Sequence, residues 1–173
     1  MPNKVTHTIH RHDHHLGWNN ANPPAHSIAP GETVAFETVD SSGGQLTAES
    51  TVADLEALDF GKVNPVTGPL RIDGAEPGDA LKVTIEGFEP SGWGWTANIP
   101  GFGLLADRFA DPALIVWKYD PVGLTPAMFG STASIPLRPF AGTLGCAPAE
   151  SGTHSIVPPR RVGGNMDIRD LAA

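Results

Sequence analysis

The sequence predicts an all-β fold, mainly strands with one or two short helices, on three observations. The 173 residues include 20 Gly and 17 Pro, spread along the chain, which favours many short strands joined by reverse turns. Helical periodicity is nearly absent. Two stretches combine a Pro-Gly turn with alternating apolar residues, a pattern typical of a strand that begins at a tight corner.

The two Pro-Gly turns place the first predicted strands. Ala29–Glu32 and Glu76–Asp79 each supply Pro and Gly for the centre of a type II turn, because Pro fixes φ and Gly accepts a positive φ. Apolar residues then alternate through residues 33–39 and 80–86, so a strand is predicted over each of these ranges. Such units are common in β-sandwiches and β-barrels, and we expect a sandwich or barrel architecture.

Other elements follow from local composition. Short strands are predicted at Leu70–Gly74 and at Leu114–Tyr119, the second being rich in β-branched and aromatic residues. A short helix is predicted over Ser50–Leu58, with Thr51 or the serine before it as the cap. A second helical turn is predicted over Ala106–Ala113, where a proline ends it.

The chain is predicted to form one domain with an N-terminal arm. Residues 16–173 contain no linker long enough to divide them. Residues 1–15 are polar and carry five of the seven histidines, a composition that predicts a flexible arm. The final stretch is polar and Gly-rich, and the sequence stops three residues after Asp170 without a closing strand. We therefore expect the β domain to be incomplete at its C-terminal end.

Charge and composition argue against several classes of partner. A net charge of −8 and a pI of about 5.2 disfavour binding to nucleic acid or to an anionic membrane. No apolar run approaches the roughly 20 residues that span a bilayer, and the N-terminus lacks the apolar centre of a signal peptide. The single cysteine, Cys146, lies among small residues without an adjacent base and is predicted to be a buried thiol. These features predict a cytoplasmic protein.

Three segments combine ligand-type side chains with Gly, which lets the backbone approach a small ligand. His15 precedes Leu-Gly-Trp-Asn, where an imidazole can bind a metal, carry a proton, pack on the indole or face solvent. Asp40 precedes Ser-Ser-Gly-Gly. The segment is either an ordinary hairpin turn or a strand end at which the Asp40 carboxylate is exposed to a ligand. Asn165 and Asp167 alternate after Gly-Gly, so an extended segment directs both to one face, either as an ordinary loop or as oxygen ligands for a divalent cation.

These segments occur in the order seen in one known family. With Asn64–Pro69, Asp73–Asp79 and Gly163–Leu171, the sequence resembles the acetamidase/formamidase family over essentially its whole length. The most specific strings are Gly-Ala-Glu-Pro-Gly-Asp at 74–79 and Gly-Gly-Asn-Met-Asp-Ile-Arg-Asp-Leu at 163–171. The resemblance implies an all-β pseudo-repeated fold and hydrolysis of small linear amides, such as formamide and acetamide, to a carboxylate and ammonia. It also implies a divalent metal, zinc or alternatively calcium, and a homo-oligomer.

The resemblance also marks candidate site positions. Asp40, Asn165 and Asp167 match acidic or amide positions of the family's site region, and His15 matches its early His. We predict that Asp40 and Asp167 are catalytic and that His15, Asn165 and Asp167 bind the metal. Val162 departs from the pattern, because relatives often have His there. Family chains continue into Gly-Asp-x-His and Gly-Asp-Gly-Glu segments that this sequence lacks. The alternative is therefore a truncated or split scaffold that is catalytically silent alone, or a β module that binds a metal or small ligand.

Overall fold

The computed structural model describes residues 4–173, and its secondary structure consists mainly of short strands. The strands are β1 (Val5–Ile9), β2 (His14–His15), β3 (His26–Ile28), β4 (Thr33–Phe36), β5 (Val66–Thr67), β6 (Leu70–Ile72), β7 (Trp93–Asn98), β8 (Ala113–Lys118), β9 (Ala127–Phe129), β10 (Ala133–Ile135), β11 (Thr143–Gly145) and β12 (Gly163–Asn165). One α-helix, α1 (Val52–Glu56), and a turn of 3-10 helix at Phe60–Lys62 complete the elements of this part of the chain. The predicted all-β class is confirmed.

Strands within residues 4–173 pair two by two. The β1–β4 and β3–β6 ladders are parallel, whereas β2–β5, β7–β8, β9–β10 and β11–β12 are antiparallel. The longest ladder, β7–β8, runs from Trp93 opposite Lys118 to Asn98 opposite Ala113. Because an isolated two-stranded ladder is marginally stable in water, packing between ladders must hold the fold together.

A small core provides that packing. Ile9, at the end of β1, is only 1% exposed, and Ile28 ends β3 in a similarly buried position. The buried apolar residues in the described range are Ile9, Trp18, Ile28, Leu46, Leu55, Ala127 and Ile156. Full burial of such a large apolar side chain is worth about 1.5–3 kcal/mol. The core is therefore formed mainly by side chains from the first 55 residues.

The N-terminal region forms part of this core rather than an arm. Val5–Ile9 pairs in parallel with Thr33–Phe36, with an irregularity between Val5 and His7, and the amide of Glu37 donates to the Ile9 carbonyl at 2.9 Å. The prediction of a flexible arm over residues 1–15 is therefore wrong for residues 5–15, while residues 1–3 lie outside the described range. The prediction gave more weight to the run of histidines than to the apolar residues at the two ends of this strand.

A contact between His10 and Glu37 fastens the turn after β1 to the end of β4. Nδ1 of His10 lies 3.2 Å from Oε2 of Glu37, and the amide of Arg11 donates to the same oxygen at 3.3 Å. These two contacts, His10 first, lower the pKa of Glu37. We expect His10→Ala to raise the pKa of Glu37 toward its ordinary value in a carboxyl NMR titration. Glu32 is the internal control, because the amide of Ala29 is the main cause of its lowered pKa.

The sign of the pH effect follows from this shift. A carboxyl with a lowered pKa in the folded state stabilises the fold above its unfolded pKa, and this stabilisation is lost as the pH falls. The His10→Ala variant should therefore lose less stability on acidification than the wild-type chain. Equal pKa shifts at Glu37 and Glu32 would instead indicate a general rearrangement of the N-terminal ladder.

The predicted helix after Ser50 is confirmed as α1. The amide and hydroxyl of Thr51 donate to the Asp54 carboxylate at 2.7 and 3.0 Å, and Leu55 is buried. This carboxylate also lies at the positive end of the helix dipole. Within the described range, no helix has the length and apolar character needed to cross a membrane.

The second predicted helical turn, over Ala106–Ala113, forms as one turn that is shorter than predicted. The amide of Phe109 donates to the Leu105 carbonyl at 3.1 Å, which closes a single turn, and β8 already begins at Ala113. Pro112 has no amide hydrogen and disfavours helical geometry in the residue before it, so the turn cannot continue.

The two Pro-Gly corners have different outcomes. The first leads into β4, over Thr33–Phe36, so the strand predicted over residues 33–39 forms over its first four residues. At the second, the amide of Asp79 donates to the Glu76 carbonyl at 3.0 Å, so the turn forms. The predicted strand over residues 80–86 is wrong, because this segment lies in no strand of the described structure. A period-two pattern gives a strand only where a partner supplies the ladder hydrogen bonds.

Candidate functional site

Two independent backbone contacts position His15 and Trp18. His15 lies in β2 opposite Val66 of β5. Trp18 is 6% exposed, and its amide and carbonyl both form 2.9 Å hydrogen bonds with the backbone of His154. The imidazole meets the indole edge-on, with ring centroids 5.9 Å apart and an interplanar angle of 65°. The pair is therefore held by backbone contacts with two segments that are far apart in the sequence.

The nitrogens of this pair are unusual. Nδ1 of His15 and Nε1 of Trp18 are buried and lack a hydrogen-bond partner of normal geometry in the described structure. Burial lowers the pKa of His15, and a weaker backbone interaction with Gly17 opposes that effect. The imidazole is therefore mainly neutral at pH 7, the form that accepts a proton or binds a metal. A buried unsatisfied polar group costs about 1–3 kcal/mol, so the pair is a candidate functional position.

An open groove of about 300 Å³ borders His15. The groove is lined by His15 and by three neighbouring residues, His12, Asp13 and His14. Part of its wall is apolar and consists of prolines 23, 24 and 69. Nε2 of His12 lies 3.6 Å from Oδ1 of Asp13. Sequence reasoning missed the three neighbours of His15 because it assigned them to a flexible arm. The groove offers imidazole and carboxylate groups to a small polar ligand.

Asp40 is held by four hydrogen-bond donors. Its carboxylate accepts from the Ser42 amide at 3.2 Å, the Ser42 hydroxyl at 2.7 Å, the Gly44 amide at 2.9 Å and Nε1 of Trp95 at 3.0 Å. Ser42 is fully buried, and its hydroxyl accepts from the amide of Leu46 at 3.0 Å. This geometry gives Asp40 a structural role in joining its loop to β7. Its catalytic role stays a prediction.

The Asp40 loop and His15 contact the same segment of chain. The amide of Asn64 donates to the Ser41 carbonyl at 2.9 Å, next to Asp40. Two residues later, Val66 pairs with His15. The structure therefore places Asp40 and His15 on neighbouring elements, although it shows no direct contact between their side chains.

Asn165 and Asp167 have different surroundings. Asn165 ends β12, and its Oδ1 accepts a hydrogen bond from the Thr143 hydroxyl at 3.0 Å. Asp167 is exposed, has a φ of 52°, and donates its amide to the Gly142 carbonyl at 3.0 Å. The extended segment that was predicted to direct both side chains to one face therefore ends before Asp167. The left-handed conformation is one that Asp adopts more readily than most residues.

The β11–β12 ladder approaches the His15–Trp18 pair through Gly145. A β-carbon built on Gly145 would lie 3.2 Å from Cη2 of Trp18, so the indole lies against this strand. Gly145 pairs with Gly163, two residues before Asn165. The structure thus brings His15, the Asp40 loop and Asn165 onto adjoining elements, with Asp167 on the surface beyond them.

The side chains of residues 4–173 do not form a complete metal site. In this range, no three His, Cys, Asp or Glu side chains lie close enough together to hold a metal ion. A catalytic zinc ion usually has three protein ligands, and calcium takes six or more oxygen ligands. His15, Asn165 and Asp167 therefore do not fit a metal by themselves. The predicted divalent ion stays a prediction that needs further ligands.

Cys146 corrects another expectation. Its side chain is exposed rather than buried, although its amide donates to the Val162 carbonyl at 2.9 Å. Cys146 directly follows the last residue of β11, a strand in which no residue is fully buried. Small apolar neighbours in sequence did not predict burial here.

The comparison with known families decides the identity of the fold. Residues 3–153 match the family model described as the Acetamidase/Formamidase family. The chain belongs to this family. The matched range includes His15 and Asp40, whereas Asn165 and Asp167 lie beyond it. The family assignment inferred from the sequence strings is confirmed.

This family chain is similar to named enzymes and to proteins of known structure. It is 28% identical to the formamidase of Methylophilus methylotrophus over 147 residues, which cover 79% of this chain and 35% of the relative. It is 26% identical to the acetamidase of Mycolicibacterium smegmatis over 217 aligned positions, which cover 91% of this chain and 53% of the relative.

Two crystal structures share the fold. A predicted acetamidase/formamidase from Thermoanaerobacter tengcongensis superposes with a TM-score of 0.86 at 28% identity, covering 97% of this chain and 54% of that one. The acetamidase from Bacillus halodurans superposes with a TM-score of 0.79 at 28% identity, covering 95% of this chain and 54% of that one. The family chain therefore spans about half the length of these relatives.

Proposed function

We propose that this chain is part of an amide hydrolase that converts small linear amides, such as formamide and acetamide, to a carboxylate and ammonia. The observation that carries the proposal is the family match over residues 3–153, together with relatives named formamidase and acetamidase. The histidine-lined groove beside His15 supports it, because it is open and large enough for a substrate of this size.

Amide hydrolysis sets specific demands on the site. Resonance gives the C–N bond partial double-bond character, so a nucleophile must be activated, the developing oxyanion stabilised and the departing ammonia protonated. A neutral His15 meets the first requirement, because an imidazole with a lowered pKa can accept a proton from water at pH 7. Asp13, which lines the same groove, supplies a carboxylate that favours the imidazolium formed in this step.

Asp167 acts as a catalytic carboxylate in this proposal, and Asn165 has a supporting role. Both are anchored on the segment 142–143, Asn165 through the Thr143 hydroxyl and Asp167 through its backbone amide. The exposed carboxylate of Asp167 is available to a further ligand or to the substrate. The predicted zinc or calcium ion would need ligands in addition to His15, Asn165 and Asp167. A cytoplasmic location and self-association are further parts of the proposal.

An ammonia assay tests the proposal. We expect the purified chain, supplemented with the part of a family relative that it does not match, to release ammonia from formamide or acetamide. Asp167→Asn should lower the rate by about 100-fold, the lower range for loss of a positioned acid or base. Asp170→Asn, an exposed neighbour in the same loop, is the matched control and should stay within twofold. Equal loss in both variants would remove Asp167 from the site, and a rate unchanged by a chelator would remove the metal.

A second candidate is a scaffold that is catalytically silent on its own. It is favoured by the absence of a three-ligand metal cluster in residues 4–173 and by the match to only 54% of the solved relatives. The same assay separates the two candidates. Ammonia release by the supplemented chain that Asp167→Asn lowers supports the enzyme, whereas release that neither Asp167→Asn nor Asp170→Asn lowers supports the scaffold.

A further inference from the structure

Two histidines on different ladders contact each other. The ring centroids of His7 in β1 and His26 in β3 lie 4.2 Å apart, with an interplanar angle of 43°. In each strand a core isoleucine, Ile9 or Ile28, lies two residues after the histidine and therefore on the same face. The imidazole contact thus lies at the rim of the core and joins the β1–β4 ladder to the β3–β6 ladder.

The stretch of chain between these two histidines carries most of the groove beside His15. Eight of the ten groove-lining residues lie in two parts of this stretch. We call residues 12–15 the first wall and residues 22–25 the second wall. The second wall ends directly before His26, so a movement of that residue acts on the second wall before it reaches the first.

Each wall is held by its own backbone hydrogen bond. For the first wall, the amide of Gly68 donates to the Asp13 carbonyl at 2.7 Å. For the second wall, the amide of Ala25 donates to the Pro69 carbonyl at 2.8 Å. These two amide hydrogens therefore report separately on the two walls.

The two imidazoles differ in their charged surroundings. Nε2 of His7 lies 3.4 Å from Oε1 of Glu32. The other charged groups on strands β1, β3, β4 and β6 and next to their ends are Lys4, His10, Arg11, Glu37, Arg71 and Asp73. Within residues 4–173, none of these forms an ion pair with His7 or His26. Arg71 lies opposite Ser27 in the β3–β6 ladder, which places it on the face away from His26.

Acidification places like charges in this contact. Histidine is the side chain whose charge changes between about pH 5 and 8. Glu32 offsets one proton on the pair, and it stays ionised in this range because the amide of Ala29 is the main cause of its lowered pKa. A second proton brings two positive rings together with a single carboxylate beside them. Because His26 is exposed, the repulsion is close to that in water, which changes an equilibrium constant by about fivefold.

We propose that His7, His26 and Glu32 form a pH-sensitive clasp, which holds the second wall of the groove at neutral pH and releases it on acidification. The β1–β4 register is irregular between Val5 and His7, so the ladder offers little resistance to this movement. The effect of the clasp on amide hydrolysis rests on the proposed function of the groove, whereas the movement itself does not.

Amide hydrogen exchange tests the clasp. Exchange is measured residue by residue by NMR at about pH 7.5 and about pH 5.5 and corrected for the intrinsic effect of pH. We expect the opening constant of the Ala25 amide to rise about fivefold at the lower pH, whereas that of the Gly68 amide stays within about twofold. His7→Gln and His26→Gln should each remove the rise at Ala25, because either substitution leaves a single imidazole.

His10→Gln is the matched control. His10 lies on the same side of the groove segment as His7, but it contacts Glu37 rather than His26. The variant should therefore keep the fivefold rise at the Ala25 amide. A variant with both His7→Gln and His26→Gln should behave like either single variant, because all three have lost the same contact. Circular dichroism verifies the folding of each variant.

Several results would overturn the clasp. An equal rise at Ala25 and Gly68 would mean that acid loosens the whole region, and no rise at Ala25 would mean that the repulsion does not reach the second wall. A rise that persists in His7→Gln or His26→Gln, or that is lost in His10→Gln, would assign the effect to other groups. Exchange is measured without substrate, so its failure is distinct from a failure of the amidase proposal.

Discussion

Asp40→Ala should lower the free energy of unfolding by about 3 kcal/mol, because hydrogen bonds to a charged group are worth about 1.5–3 kcal/mol each and their loss is only partly recovered by water. The carboxylate accepts hydrogen bonds from the amides of Ser42 and Gly44, from the Ser42 hydroxyl and from Nε1 of Trp95. Removing it leaves these donors without an acceptor, and Ser42 is fully buried. Urea-induced unfolding followed by circular dichroism measures the change.

Two further variants define the cause. Asp40→Asn keeps the size but replaces one acceptor oxygen with a donor, so we expect about half the loss. Trp95→Phe removes only the indole donor and should cost about 1 kcal/mol. Asp73→Asn, an exposed carboxylate at the end of β6, is the control and should be neutral. If Asp40→Asn leaves stability unchanged while abolishing ammonia release in the supplemented assay, Asp40 acts in catalysis rather than in the scaffold.

Local signals predicted the elements that depend on local chemistry. The helix near Ser50 begins where Thr51 and Asp54 can form a cap, and both residues of this cap are three positions apart in the sequence. The Pro-Gly turn at Glu76–Asp79 forms for a similar reason, because its geometry is set by the two central residues. Features of this kind are encoded within a few residues and could be predicted.

Pairing partners could not be predicted in the same way. β1 pairs in parallel with β4, and the chain between them contains β2 and β3. No local pattern identifies β4 as the partner of β1. Apolar and polar residues alternate as regularly at residues 80–86 as at residues 33–39. In the described structure, however, a strand forms only in the range 33–39. The difference lies in the availability of a partner, which sequence periodicity does not report.

The sequence selected candidate site residues but not their surroundings. Motif position identified His15, and the structure adds a buried neighbour, Trp18, whose place is fixed by His154 from the far end of the chain. No local signal links these residues. For Asp167, the alternation rule assumed an extended backbone, but a φ of 52° turns the chain at that residue. Residue type and motif order therefore selected the candidate positions, which stay predictions, and tertiary contacts determine their geometry.

Gly163→Ala should destabilise the fold by about 3 kcal/mol, from backbone strain and a steric clash together. Gly163 has a φ of 98°, which side-chain-bearing residues rarely adopt. A β-carbon there would overlap the Leu144 carbonyl oxygen and lie 2.8 Å from Cα of Gly145, the residue opposite it in the ladder. Because Leu144 belongs to the paired strand β11, relief of the clash requires the two strands to separate. Thermal unfolding measures the loss.

Gly152→Ala separates the two contributions. Gly152 has a φ of 91°, close to that of Gly163, but a β-carbon there would meet nothing within 4 Å. Its substitution should therefore cost about 1 kcal/mol, from backbone strain alone. The difference between the variants measures the steric contribution of the β11–β12 contact. Because Trp18 packs on Gly145 in the same ladder, separation of these strands should also change the near-ultraviolet circular dichroism of the indole in Gly163→Ala but not in Gly152→Ala. Equal losses in the two variants would mean that β11 and β12 are not held in close contact, and the link from Asn165 to His15 through Trp18 would then fail.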